Sequence, residues 1–184
     1  MKTVNIYTDG ACSGNQNEKN TGGWGCVLEY GGATKELWGG EPDTTNNRME
    51  MLALISALSA LKEDGLRLHI YSDSSYLINC MKQKWYVNWR RNGWKTSQRQ
   101  PVENRELWEQ LLALIEKHEC DFSLVKGHLN PDNEKAMKDA YKKYVAHNGE
   151  TDEERFREIV AMNIKCDELA NKYRKSLAEA EQNA

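Results

Sequence analysis

Four acidic residues stand where an acid is costly unless it has a task. Asp9 closes the segment TVNIYTD (3–9), in which Val4 and Ile6 share one face and Asp9 falls on the other. Asp73 follows the 66–72 segment in the same way, opposite in parity to Leu66, Leu68 and Ile70. Glu50 lies four, eight and eleven residues before Leu54, Leu58 and Leu61, so on a helix it shares their apolar stripe. Asp167 comes seven residues after Val160 and three before Ala170, close to the packed side of a final helix. A buried carboxylate without a proton or a cation is strongly destabilising, and four that converge would require metal ions. Oxygen-only ligation suits a hard cation, magnesium or manganese, and not zinc. Each acid also has a plainer use. Asp9 and Asp73 suit turns or helix caps, Glu50 fits a capping box with Asn47, and Asp167 suits a surface position beside a packed stripe. Periodicity shows that each can face inward; it does not show that they meet.

The elements that must position them follow from the same patterning. Residues 3–9 read as a strand, followed by a loop marked by Gly10, Gly14, Gly22 and Gly23. Strand-like runs at 24–30 and 34–38 meet in a tight hairpin at Gly31-Gly32. A helix is expected from Asn46-Asn47 to about Lys62, closed by Gly65, and then a strand at 66–72. Helices are expected at 74–81, 83–91 and 104–117, the last with Leu107, Leu111, Leu114 and Ile115 inward, and a short strand at 121–126. Everything from Asn133 reads as helix, broken at Asn148-Gly149, with Thr151 and Glu154 forming a capping box for a long last helix. The pattern is α/β: a mixed sheet covered by helices, in one domain spanning 1–184 without repeats or a linker.

Composition agrees and narrows the class. With 184 residues, 39% hydrophobic, 29% charged and three prolines, the chain can bury roughly 70% of its unfolded surface in one core. No run of about 18 apolar residues is present, so no membrane span is expected, and the N-terminus turns polar too soon for a secretory signal. Five scattered cysteines without a CxxC pair read as reduced thiols in a cytoplasmic protein. The net charge of −3 is uneven. Between Lys82 and Arg105, seven basic residues face only Glu103, giving +6 there and −9 elsewhere. Trp85, Tyr86, Trp89 and Trp94 lie in that window, which suits either an anion-binding surface or a solvated helix anchored by its tryptophans.

The strings TDGACSGN (8–15), TTNNRMEMLA (44–53), YSDSSYL (71–77), KWYVNWRRNGWKT (84–96), VKGH (125–128) and CDELA (166–170) together resemble type 1 ribonuclease H of the bacterial kind. The likeness covers about 3–128 and 163–175. It implies a ribonuclease H-like fold, with a five-stranded mixed sheet flanked by helices, and an endoribonuclease. Such an enzyme hydrolyses the RNA strand of RNA–DNA hybrids with two magnesium ions, manganese serving as well, and leaves 5′-phosphate and 3′-hydroxyl ends. Two cations about 4 Å apart can activate the water and stabilise the leaving oxygen. The resemblance places the metal-binding carboxylates on Asp9, Glu50, Asp73 and Asp167 and the catalytic histidine on His128. It places substrate contacts on Gly10, Cys12, Asn15, Asn46, Asn47 and Ser74, the asparagines reading 2′-hydroxyls across the minor groove. It further places a basic clamp for the DNA strand on Trp85, Trp89, Arg90, Arg91, Trp94, Lys95 and Thr96. Core packing remains an equal use for Trp85 and Trp94, and for His128 a surface loop is the reading that the bare sequence favours.

Two departures stand out. The family keeps its histidine and last acid close in sequence, whereas here 39 residues separate His128 from Asp167, an insertion at about 132–162. Its Lys135, Lys138, Lys142 and Lys143 fall on a helix that could graze substrate, and an acidic run follows; the alternative is a surface helical hairpin that extends the last helix backward. Ser75 stands where the family often has a longer glutamine. No separate hybrid-binding domain is expected, and a monomer is. The competing functions are a non-catalytic hybrid-binding module of the same fold, which should have lost an acid, and a DNA-cutting nuclease, which the Asn46-Asn47 pair opposes. A nucleotide-phosphate enzyme is excluded, since neither GxGxxG after a strand nor GxxxxGK[ST] occurs.

Overall fold

A computed structural model describes residues 1–13 and 20–184. Five strands run β1 (Thr3–Ser13), β2 (Thr21–Tyr30), β3 (Ala33–Glu41), β4 (Arg67–Ser72) and β5 (Glu119–Leu124). They pair in the order β3-β2-β1-β4-β5. β1–β2 and β2–β3 are antiparallel, while β1–β4 and β4–β5 are parallel, so the sheet is mixed as expected. Six helices cover it: α1 (Asn46–Ser59), α2 (Ser75–Gln83), α3 (Trp85–Arg91), α4 (Arg105–Ile115), α5 (Glu134–Asn148) and α6 (Glu153–Gln182).

Alternation in the strands sorts side chains onto two faces, and both faces are covered. Val4, Ile6, Leu68 and Ile70 join Leu54 and Leu58 of α1, Leu77 of α2 and Trp108 and Leu111 of α4 in the first core. On the other face Tyr7, Val27 and Val125 pack with Met137, Ala140 and Tyr144 of α5 and Phe156, Ile159, Val160, Cys166 and Leu169 of α6. The segment 132–162 is therefore a helical hairpin that does extend the last helix backward. It is not merely a surface feature, because it supplies half of this second core.

Several boundaries differ from the sequence-based expectation for local reasons. β5 begins at Glu119, since the parallel ladder with β4 runs from Arg67–Glu119 to Ser72–Leu124 and enlists polar residues. α1 stops at Ser59, three residues before Lys62. Its cap is Thr45, whose hydroxyl accepts from the Arg48 amide at 3.2 Å, in place of an Asn47–Glu50 box. Likewise Asp152 caps α6 by accepting from the Arg155 amide at 2.7 Å, which displaces the expected Thr151–Glu154 box. Lys84, in the left-handed region at φ 55°, breaks α2 from α3.

Asn148 does more than end α5. Its side chain accepts from the Leu124 amide at 2.9 Å and donates to the Leu124 carbonyl at 3.0 Å, completing hydrogen bonds that edge strand β5 would otherwise leave open. Lys82 of α2 donates to the same side chain at 3.2 Å, so the hairpin is fastened to the sheet edge.

Candidate active site

The parallel pairing of β1 with β4 sets Thr8 beside Ser72, so the residues that follow, Asp9 and Asp73, emerge at the same end of the sheet. α1 crosses that end closely. A Cβ on Gly10 would lie 2.6 Å from the Glu50 nitrogen, so only glycine lets the helix bring Glu50 against Asp9. α6 lies equally close over β2, where a Cβ on Gly25 would meet the Cys166 carbonyl oxygen at 2.5 Å; that contact sets Asp167 at the same end.

Oxygens of Asp9, Glu50 and Asp73 lie within 4.8 Å of one another. Asp167 lines the same 590 Å³ cavity but stands outside that trio. Asp9 and Glu50 are buried, at 3% and 7% exposure. Burial first, and then the charges of Asp73 and Asp167, push the Asp9 carboxyl up to about 9; the Gly10 amide, donating at 2.9 Å, opposes them weakly. Glu50 is pushed well above the usual carboxylate range by burial and by Asp9 and Asp73. Its Oε2 is buried without a hydrogen-bond partner among the described residues. Crowded like charges and an orphaned carboxylate oxygen, in a cluster made of carboxylates, fit a divalent metal ion of the hard type.

The other expected residues divide. His128 is exposed, takes a left-handed φ of 55°, and lines the carboxylate cavity despite the insertion that follows it. Gly10, Cys12, Asn46, Asn47 and Ser74 line it as well. Ser74 also caps α2, accepting from the Leu77 amide at 3.1 Å, and Cys12 donates to the Thr44 carbonyl at 3.4 Å. Asn15 lies outside the described residues. Sequence reasoning missed Asn171 and Arg174, which line the cavity from α6 four and seven residues after Asp167. That helical spacing was visible; which side of α6 met the Asp9–Cys12 stretch of β1 was not.

The tryptophan segment is anchored in the first core and also lines an open groove. Trp94 is buried at 7% exposure beneath Arg105, whose guanidinium sits 5.5 Å from the ring centre. Trp89 packs on Trp108 and Trp85 on Tyr76, at centroid separations of 5.6 and 6.3 Å. Trp85 and Trp89 nonetheless line an open 600 Å³ groove together with Arg91, Lys95 and Thr96. Arg90 is turned away: it pairs with Glu116 at 2.7 Å and stacks on Tyr86. Tyr76 touches both regions, lining the carboxylate cavity and contacting Trp85.

A family model for RNase H matches residues 1–175. The chain belongs to the RNase H family. It is 55% identical over 134 residues to the ribonuclease H of Moorella thermoacetica, covering 72% of this chain and 86% of that protein. It is 54% identical over 127 residues to the ribonuclease H of Chlorobaculum parvum, covering 69% and 84%. Among solved structures it is similar to LC9-RNase H1, a type 1 RNase H with the type 2 active-site motif. That likeness has a TM-score of 0.62 and 30% identity, covering 88% of this chain and 85% of the other. The five-stranded mixed sheet flanked by helices is the RNase H fold. No helix among the described residues is long and apolar enough to cross a membrane.

Proposed function

We propose that this RNase H hydrolyses the RNA strand of RNA–DNA hybrids, leaving 5′-phosphate and 3′-hydroxyl ends, with Asp9, Glu50, Asp73 and Asp167 holding two magnesium ions that manganese can replace. The observation that carries this is the three-carboxylate cluster, with its orphaned Glu50 oxygen, at the floor of an open cavity. Bound divalent ions supply charge neutralisation to a phosphodiester under attack by water. The chain supplies the rest. Asp9 and Glu50, fixed by burial, offer preformed oxygen ligands that would hold the cations in their deprotonated form. Asp73 and Asp167 complete the site from the end of β4 and from α6. His128, on the cavity rim, carries protons to or from the reacting oxygens or eases product release.

Strand selection follows from position. Asn46 and Asn47, beside Glu50, present amide donors and acceptors to 2′-hydroxyls; Gly10, Cys12 and Ser74 belong to the same contact surface. The groove of Trp85, Trp89, Arg91, Lys95 and Thr96 takes the DNA backbone without reading sequence. Trp94 and Arg90 support that groove from below and beside it. All five cysteines are free, which suits a cytoplasmic enzyme, and we take it to act as a monomer.

The test is cleavage of a labelled RNA–DNA hybrid with magnesium, beside the matching RNA and DNA duplexes, with Asp9→Asn as control. Cutting of the RNA strand alone, lost in the variant, is the expected result. Salt-sensitive binding without cutting in magnesium or manganese would replace this reading with the binding module.

A further inference from the structure

The insertion lies beside the catalytic carboxylates, and its position gives it a task. Asp73 and Ser75 line not only the carboxylate cavity but also a second one of 580 Å³, formed between the chain after β5 and helix α5. The approach of the two walls is close, since a Cβ on Gly127 would collide with Oδ2 of Asp73. Val125, Ala140 and Tyr144, all buried, make the floor largely apolar, while Lys126, Lys143 and His147 stand on the rim. All three rim residues are exposed, and neither lysine has an ion-pair partner among the described residues. Asp73 is the only acid in the lining among the described residues.

We propose that this groove takes the sugar-phosphate backbone of the cleaved strand on one side of the scissile phosphate, with Lys143 of the insertion neutralising phosphate charge there. The inference rests on the hybrid-cleaving reading above. A strand whose phosphate lies among Asp9, Glu50 and Asp73 must continue past Asp73 on one flank, and the groove that opens at Asp73 carries Lys126 and Lys143, neither ion-paired among the described residues. Its apolar floor offers sugars a contact surface without base-reading groups, so the contact is independent of sequence. α5 is held firmly enough to present a fixed charge, by its Met137, Ala140 and Tyr144 face in the second core and by the clasp of Asn148 on Leu124. Lys138, on the same helix, lies outside the groove and is a matched control.

The experiment uses the full chain carrying Asp9→Asn, and measures binding of a labelled RNA–DNA hybrid by fluorescence anisotropy in EDTA over a range of salt. Adding Lys143→Ala should weaken binding about fivefold at low salt and reduce the slope of log affinity against log salt by about one. Lys138→Ala should leave the slope unchanged. In the otherwise unaltered enzyme, Lys143→Ala should raise KM with little change in kcat on long hybrids. The difference should vanish on a hybrid trimmed on one flank of the cleavage position. Lys143 is exposed, so circular dichroism should show the same fold. An unchanged slope in Lys143→Ala, or equal losses from both lysine variants, would overturn the groove assignment while hybrid cleavage by the unaltered chain stood. If that chain neither bound nor cut the hybrid, the functional reading itself would fall.

Discussion

Replacing Asp9 with asparagine should stabilise the metal-free protein. The Asp9 carboxyl is 3% exposed and is pushed from 3.8 to about 9, chiefly by burial and then by its acidic neighbours. Between those values the folded protein holds a proton that the unfolded chain has released. Stability therefore falls as pH rises through this interval and levels off above about 9. Each pH unit is worth ~1.4 kcal/mol, so the interval from 3.8 to pH 7 amounts to about 4 kcal/mol. Asparagine keeps the shape and carries no charge, although it weakens the bond from the Gly10 amide; a gain of about 2–4 kcal/mol at pH 7 is expected. Tm should rise by on the order of 10 °C. The assay is thermal and urea denaturation in EDTA at acid, neutral and alkaline pH, followed by far-UV circular dichroism. The gap between variant and parent should widen with pH and narrow when magnesium is added, because the cation stabilises only the parent's full set of carboxylates. An equally or less stable variant at pH 7, or a gap indifferent to pH, would refute the buried-charge argument.

Three further outcomes follow from the site. His128→Ala should slow hybrid cleavage while leaving residual activity and unchanged magnesium affinity, checked by steady-state kinetics and metal titration; full activity would remove the histidine from the reaction. Arg174→Ala should weaken hybrid binding severalfold and lower its salt slope by about one, read by anisotropy, since this cation lines the carboxylate cavity. Gly10→Ala should destabilise the fold by about 1–3 kcal/mol and reduce magnesium affinity, measured by denaturation and calorimetry, because its Cβ would press on the Glu50 backbone.

The four acids were legible because each broke a local rule: two fell on the far parity of strands and two on or beside helical stripes. The structure gathers all four around one cavity, with Asp167 outside the tight trio. The order of strands was legible too, since the alternation of Val4, Ile6, Leu68 and Ile70 is strong, but Gly10, Gly22 and Gly23, read as loop, lie in β1 and β2, and β5, polar at its start, was displaced by two residues. The second core was not legible. Tyr7 and Val27 meet the insertion across more than a hundred residues of chain, and no local periodicity carries that pairing. Arg155 illustrates it best. It reads as one more charge in a charged run, yet its guanidinium donates to the Tyr7 hydroxyl at 2.7 Å and sits over the rings of Tyr7 and Tyr71. The caps were misplaced because neighbouring threonine, asparagine and aspartate residues compete for the same amides, and only backbone geometry decides among them.

Helix α6 runs unbroken from Glu153 to Gln182 and carries Asp167 at mid-length. Because an α-helix turns by about 100° per residue, everything between Asp152 and Asp167 is phase-locked. One residue added there would swing the carboxylate off the cavity while Phe156, Ile159 and Val160 held the first half against the sheet. Residues added between Asn148 and Asp152 impose no rotation on the helix. Within α6 itself the second arm of the hairpin is thereby held in register with an acid about four helical turns downstream of the Asp152 cap.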